Sequence, residues 1–218
     1  MPGSASAEGT ATDLVAGWVY GRSVARRVAL PVSDHGGWRV DTASPTEVCR
    51  YIFADPTPDV AALAREINQP QIWIKVCCED SALAACLPSE WTLAATSWMM
   101  VGEGSFGALT LPAGYRANVV RDGVCVEVSI LAPDGALAAS GHAAEAGGVF
   151  VYDRIVTDAA HRRRGLGRAL MHFLSAQRQS ADAQQVLVAT EAGRALYESL
   201  GWRVYRPYAS AVIPDPAA

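Results

Sequence analysis

A run of arginines and glycines, AHRRRGLGRAL, occupies residues 160–170 of this 218-residue chain. It holds four arginines although the whole chain has a formal net charge of −4. Three interpretations compete: a nucleic-acid-binding patch, a solvated basic helix start, and a phosphate cradle at a helix N-terminus. The acidic chain disfavours the first interpretation, because nucleic-acid-binding modules are usually strongly basic.

The sequence on each side of this run predicts a buried strand before it and a helix after it. VFVYDRIVT, residues 149–157, is almost continuously apolar, as is typical of a strand buried on both faces. After Gly165, apolar residues recur at helical spacing. A helix N-terminus presents unpaired N–H groups, and glycines let an anion approach the backbone closely. This position favours the phosphate cradle over the solvated helix start.

The other segments predict an α/β (α+β) fold with a mixed, mostly antiparallel central sheet, βαβ units and flanking helices. Residues 12–27 form a predicted helix whose apolar stripe includes Arg22. Further helices are predicted in DVAALAREINQ, SALAACLP and EAGRALYESL. Strands are predicted in GWRVDT, EVCRYIFAD, QIWIKVCC, WTLAATSWMM, YRANVV, VCVEVSIL, ALAASGHAA, QQVLVAT and WRVYRPYASAVI. Asp-Gly pairs between extended segments predict hairpins early in the second half.

Two motifs together resemble a known family. Arg162-x-x-Gly165-x-Gly167 is similar to the Q/R-x-x-G-x-G/A signature of the GCN5-related N-acetyltransferases (GNAT), and LYESLGW at 196–202 is similar to their LYExxGF. The resemblance covers residues 115–213 and implies a GNAT fold with acetyl-CoA as the acetyl donor. It implies a cofactor site made of Ile155, Val156 and Thr157 on the strand edge, of Arg162, Arg163, Arg164, Gly165, Leu166, Gly167 and Arg168 at the cradle, and of Thr190.

Three segments are predicted on this basis. Residues 1–11 are expected to be a disordered tail, 109–218 the acetyl-CoA-binding catalytic domain, and 12–108 an N-terminal α/β half. The β-α-β-α-β order predicted for 46–101 resembles that of the second half without its glycine cradle. We therefore interpret the first half as a degenerate GNAT-like half-domain beside the catalytic one.

Two side chains are candidates for moving protons during acetyl transfer. The resemblance places Tyr197 near the sulfur of the cofactor as a general acid; the alternative is a buried core aromatic. Asp153 interrupts an apolar strand, where a carboxylate is costly unless it is paired or functional. It is a candidate base, or else an ion-pair partner of Arg154 or another arginine. Glu145 and His142 are weaker candidates for substrate contacts.

The chain is therefore expected to be a cytoplasmic N-acetyltransferase that acts on a small cationic amine, with an aminoglycoside-like antibiotic as the first choice. Acetylation of a protein N-terminus, a lysine or an amino-acid-like metabolite is the second hypothesis, and a non-catalytic acyl-CoA-binding module is the third. Five cysteines without zinc-type spacing predict reduced thiols and no metal site. No membrane span, secretory signal or nucleic-acid partner is expected, and the oligomeric state stays open, with a homodimer as one option.

Overall fold

The computed structural model describes residues 11–103 and 110–215. The helices are α1 (Ala11–Arg26), α2 (Pro58–Glu66), α3 (Asp80–Ala84), α4 (Leu166–Ser175) and α5 (Glu191–Glu198). The strands are β1 (Val32–Asp34), β2 (Gly37–Ser44), β3 (Glu47–Phe53), β4 (Ile72–Val76), β5 (Thr92–Leu93), β6 (Ser97–Gly102), β7 (Arg116–Asp122), β8 (Cys125–Leu131), β9 (Leu137–Ala146), β10 (Val149–Thr157), β11 (Gln184–Thr190) and β12 (Arg203–Val212). The predicted tail, apart from Ala11, and the predicted division between 108 and 109 lie outside the described residues.

The strands form one mixed sheet in the order β1-β2-β3-β4-β12-β6-β11-β10-β9-β8-β7, and β5 also pairs with β12. Among the described strands, two neighbouring pairs are parallel: β3 with β4, and β10 with β11. Each parallel pair is joined by a crossover helix, α2 or α4. The predicted mixed sheet with βαβ units and flanking helices is confirmed. The two halves of the chain share this sheet, because β12 pairs with both β4 and β6.

The helices cover both faces of the sheet. Neighbouring side chains on a strand point to opposite faces, so Phe150 and Tyr152 of β10 join the core under α4, while Val149 and Val151 join the core under α1. The first half of β10 is thus buried on both sides, as its apolar sequence predicted. Asp153 comes next on the face that α1 covers. No helix within the described ranges is long and apolar enough to cross a membrane.

The prediction of one strand over WTLAATSWMM is wrong, because this segment forms two strands. Both β5 and β6 pair antiparallel with β12, but their registers differ by one residue. Three residues of the connection, 94–96, stand opposite two residues of β12, 209–210. The connection therefore has one residue more than β12 at this point, and this interrupts the pairing as a β-bulge does.

Two glycines on α1 let the helix lie close to β10. A Cβ atom at Gly17 would lie 2.6 Å from the carbonyl oxygen of Gly147, and one at Gly21 would lie 2.7 Å from Cγ2 of Val151. Glycine costs about 1 kcal/mol relative to alanine inside a helix. The close approach explains why α1 keeps two residues that weaken its intrinsic helix preference.

We predict that Gly17→Ala lowers the free energy of unfolding by about 1–2 kcal/mol, although alanine is the better helix former. The added methyl group would meet backbone, which cannot swing aside as a flexible side chain can. Urea unfolding followed by circular dichroism measures the change. As a control, Ala62→Gly on the exposed side of α2 reports helix preference alone. A stabilised Gly17→Ala variant would contradict the close contact.

Candidate functional site: a cleft between two diverging strands

Strands β10 and β11 are parallel neighbours that separate soon after they begin. Their paired register covers Val149–Val151 and Gln184–Val186. Beyond this point β10 pairs with β9, and β11 pairs with β6. Within the described part of the chain, the facing edges of residues 152–157 and 187–190 therefore have no strand partner. The gap opens into a cleft of about 690 Å³, a volume that includes space open to solvent.

A β-bulge in β10 accompanies this separation. The register of β10 against β9 shifts between Asp153 and Val156, so Arg154 and Ile155 stand opposite Gly141. Arg154 has a φ of +52°, which side chains other than glycine rarely adopt. A Cβ atom at Gly141 would lie only 2.6 Å from Cδ1 of Ile155. A bulge bends the strand that contains it, and this bend accounts for the divergence of β10 from β11.

The cradle lies where β10 leads into α4. After Thr157, the amide of Asp158 donates to the carbonyl oxygen of Ala138 over 2.9 Å, and its carboxylate accepts from the amide of Ala160 over 2.9 Å. A short 3-10 turn, Ala159–His161, follows. Among the described residues, no carbonyl or side chain accepts a hydrogen bond from the amides of 163–168. This stretch has the free N–H groups that an anion needs.

The two glycines of the cradle have different structural roles. Gly165 caps α4 with a φ of +78°, and a Cβ atom placed on it would meet nothing within 4 Å. Its position requires a left-handed backbone and faces open space. A Cβ atom at Gly167 would instead lie 2.8 Å from Cδ2 of Leu196 on α5. Gly167 therefore lets the two helices pack, whereas Gly165 leaves room for a ligand.

Tyr197 lines the cleft from α5. Thr190 begins this helix, and its hydroxyl oxygen accepts a hydrogen bond from the amide of Gly193 over 3.3 Å. Tyr197 is 6% exposed, and no described residue makes a hydrogen bond with its hydroxyl group. Burial, with a smaller effect from the negative charge of Asp153, raises the pKa of Tyr197 to about 12. Tyr197 is thus both a core aromatic residue and a protonated hydroxyl beside the cleft.

Asp153 is held by two arginines of α1. Arg26 donates from Nε over 2.6 Å and from Nη2 over 3.0 Å, and Arg22 donates from Nε over 3.3 Å. Arg154 is farther away, with its Nε 3.8 Å from the carboxylate. Burial alone would raise the pKa of Asp153, but the arginines outweigh burial and lower it below its usual value.

These contacts favour the ion pair over the base that the sequence suggested for Asp153. A general base works best when its pKa lies near the working pH. A carboxylate with a lowered pKa and both oxygens occupied accepts a proton poorly. The predicted partner Arg154 is also not the main one, because the closest guanidinium groups come from α1.

The two weaker candidates lie on opposite faces of β9. Glu145 accepts hydrogen bonds from the amides of Gln179 and Ser180, over 2.6 Å and 2.9 Å, and so fixes the loop after α4. It is not part of the cleft lining. His142 is the register partner of Asp153. It lines a neighbouring groove that shares Arg26 and Arg154 with the cleft.

Comparison with known proteins finds a family match in the second half of the chain. Residues 119–204 match the sequence profile of the family described as "Acetyltransferase (GNAT) domain". This segment of the chain is therefore similar to a GNAT acetyltransferase domain. No curated protein sequence is significantly similar to the chain.

Solved structures of GNAT proteins share the fold over most of the chain. A GCN5-related N-acetyltransferase from Kribbella flavida is 18% identical, with a TM-score of 0.67 over 96% of this chain and 97% of that one. A GCN5-related N-acetyltransferase-like protein from Streptococcus suis is 12% identical, with a TM-score of 0.57 over 82% and 84%. A tandem GNAT protein from the clavulanic acid biosynthesis pathway is 14% identical, with a TM-score of 0.52 over 71% and 68%. At these identities the similarity concerns the fold.

The cradle at the start of α4 has the free donors and the space that the pyrophosphate of an acyl-CoA would need. Its amides are free, the position of Gly165 faces open space, and Arg162, Arg163 and Arg164 beside it are exposed. The unpaired edge of residues 152–157 leads from the cradle towards Tyr197, and Ile155 lines the cleft on the way. The hydroxyl group of Thr190 caps α5, so its oxygen already accepts a hydrogen bond within the protein.

Sequence reasoning missed Arg22 and Arg26 as residues of the site. Both line the cleft, yet they lie more than 120 residues before Asp153 in the chain. The signal was the position of Arg22 on the apolar stripe of α1, where a charged residue needs a buried partner. Arg26 follows one turn later on the same face.

We predict that Asp153→Asn lowers the free energy of unfolding by about 3 kcal/mol at pH 7, because it leaves two arginines unpaired. The pKa of Asp153 is lowered in the folded protein. The ion pair therefore stabilises the fold above the usual carboxyl pKa of about 4, and this advantage is lost as the pH falls through the lowered value. Urea unfolding of both proteins between pH 7 and pH 3 should show their difference shrinking.

Asp122→Asn is the matched control for this measurement. Asp122 also pairs with an arginine, Arg27, over 2.7 Å, but both side chains are about 70% exposed. Exposed pairs contribute about 0.5 kcal/mol. Equal destabilisation by the two exchanges would contradict the central position of the Asp153 ion pair.

Proposed function

We propose that the protein transfers the acetyl group of acetyl-CoA to the amine of a small acceptor. One observation carries this proposal: the unpaired edge of β10 lies between the free amides at the start of α4 and a cleft that Tyr197 lines. A phosphate cradle alone would fit many ligands. The adjacent strand edge and the buried hydroxyl group add the features that acyl transfer requires.

When bound, acetyl-CoA supplies the acetyl group as a thioester, so transfer exchanges its C–S bond for a C–N bond and moves one proton from nitrogen to sulfur. The amides of residues 163–168 would hold the pyrophosphate. The backbone edge of β10 at Ile155, Val156 and Thr157 would orient the pantetheine arm. An amide on this edge would stabilise negative charge on the acyl oxygen.

The hydroxyl group of Tyr197 helps the sulfur of coenzyme A to leave. With a pKa of about 12, its hydroxyl group is protonated at neutral pH. The reference pKa of a cysteine thiol is about 8.5, so full transfer of the proton from Tyr197 is uphill. Tyr197 therefore stabilises the departing thiolate mainly as a hydrogen-bond donor. Asp153 holds Arg22 and Arg26 in place, and the acceptor enters as its neutral amine.

The charges that line the cleft bear on the choice of acceptor. The net charge of −4 favours a cationic acceptor at long range, which supported the aminoglycoside hypothesis. The cleft itself has one lining carboxylate, Asp153, among the described residues, and two arginines already occupy it. This arrangement favours an amino-acid-like acceptor over a polycation. A polycation needs free carboxylates at short range.

A turnover panel tests the proposed function. The protein is incubated with acetyl-CoA and, separately, with amino acids, short peptides, polyamines and aminoglycosides, and the release of free thiol is followed. We expect acceptor-dependent thiol release with amino acids. Acetyl-CoA binding without turnover on any amine would contradict acetyl transfer and favour the acyl-CoA-binding module.

We predict that Tyr197→Phe lowers kcat about 10- to 100-fold, because the leaving sulfur loses a hydrogen-bond donor. The dissociation constant of acetyl-CoA should change less than about threefold, since most of its contacts lie along β10 and the cradle. Steady-state kinetics and calorimetry measure the two quantities. Tyr20→Phe, at an exposed position on α1, is the control. Unchanged kcat in Tyr197→Phe, where chemistry limits the rate, would exclude this role.

A further inference from the structure

Arg22 has hydrogen-bonding groups that the fold does not use. Its Nε donates to Asp153, and its guanidinium carbon lies 5.3 Å from the centroid of the Trp18 ring. No described residue accepts a hydrogen bond from its Nη1 or Nη2. The side chain is only 18% exposed, so these N–H groups have limited access to water. A guanidinium group that is mostly buried is stable only when acceptors satisfy its donors.

The free groups of Arg22 lie in a positively charged part of an acidic protein. The charged side chains that line the cleft are three arginines, Arg22, Arg26 and Arg154, and one carboxylate, Asp153. Among the described lining residues, positive charge therefore exceeds negative charge by two. The chain as a whole has a net charge of −4. The positive charge is thus concentrated locally.

The positive region continues behind the cleft. Burial, with smaller effects from the charges of Arg22 and Arg26, lowers the pKa of Lys75 to about 8, although the charge of Glu47 acts in the opposite direction. Glu47 lies 3.8 Å from Lys75 and also pairs with Arg50, so one carboxylate serves two cations. Little negative charge is left in this region to satisfy Arg22.

Arg22 lines the cleft from the face of the sheet that α1 covers. α1 and α4 cover opposite faces of the sheet, so Arg22 and the cradle approach the gap between β10 and β11 from opposite sides. Asp153, which Arg22 contacts, is near enough to Tyr197 to affect its pKa. An acceptor bound to Arg22 would place its amine near Tyr197.

We propose that the acceptor carries a carboxylate as well as an amine, and that Nη1 and Nη2 of Arg22 bind this carboxylate. A guanidinium fork matches a carboxylate in shape and charge. The acceptor is then an amino acid or a compound of that type. This inference rests on the proposed acetyl transfer and names its substrate class. Asp153 acts as a positioning residue, because it fixes the orientation of the guanidinium group.

Matched acceptors test the inference in the wild-type protein. Each α-amino acid of a panel is assayed beside its α-carboxamide, which keeps the amine and removes the negative charge. For the best acid, we expect kcat/KM to exceed that of its amide at least about 10-fold, as for a hydrogen bond to a charged group. Equal turnover of acid and amide, or turnover confined to polyamines or aminoglycosides, would overturn the inference and leave acetyl transfer standing. Absence of thiol release with every amine would overturn both.

The variant Arg22→Gln tests whether Arg22 causes the preference for the acid over its amide. We expect the preference for the acid over its amide to disappear, mainly through a higher KM for the acid. Arg22→Lys keeps the charge without the fork and should retain part of the preference. Circular dichroism verifies that the variants fold. A loss of turnover that is equal for acid and amide would indicate a structural role and contradict the inference.

Arg27→Gln is the matched control, because it removes the same charge five residues later without touching the cleft. Arg27 is 70% exposed and pairs with Asp122. Arg22→Gln and Arg27→Gln are compared for how far each weakens the preference for the acid over its amide. Equal weakening would mean that the preference arises from the electrostatic field of the whole protein and not from a site at Arg22. Calorimetry with the N-acetylated acid gives a second readout: wild type should bind it at least about 10-fold more tightly than Arg22→Gln does.

Discussion

The separation of β10 from β11 after a short paired register is the constraint on which the site depends. Parallel strands would normally continue their ladder, and each unmade hydrogen bond is costly unless another partner replaces it. Here the bulge at Arg154 and Ile155 bends β10 while its pairing with β9 continues. The sheet is held together on both sides of the gap, because β11 stays paired with β6. The fold thus keeps an open backbone edge inside a well-packed sheet.

The ion pairs of Asp153 connect this edge to the N-terminal helix. α1 approaches closely through Gly17 and Gly21, and Arg22 and Arg26 then reach the carboxylate from the last turns of the helix. A buried ion pair stabilises a fold weakly on balance, but removing one partner is costly. The arrangement therefore fixes the position of α1 and brings positive charge into the cleft.

Much of the structure of the second half of the chain follows from local sequence patterns. The apolar run before Asp158, the glycine at the start of α4 and the helical stripe behind it are local signals, and the structure has each element where these signals predicted it. The register of distant strands is not a local property. Nothing near β6 indicates that it lies between β11 and β12, and nothing near Asp153 identifies its partners on α1. The different tasks of Gly165 and Gly167 likewise depend on α5, which packs against one glycine and not the other.

A crystal structure of the protein with bound coenzyme A would test the central claim most directly. We expect the pyrophosphate on the amides of residues 163–168, with the pantetheine arm paired to the edge of residues 152–157. We also expect the sulfur beside the hydroxyl group of Tyr197. Coenzyme A bound outside the gap between β10 and β11, or with its sulfur far from Tyr197, would contradict the proposed site.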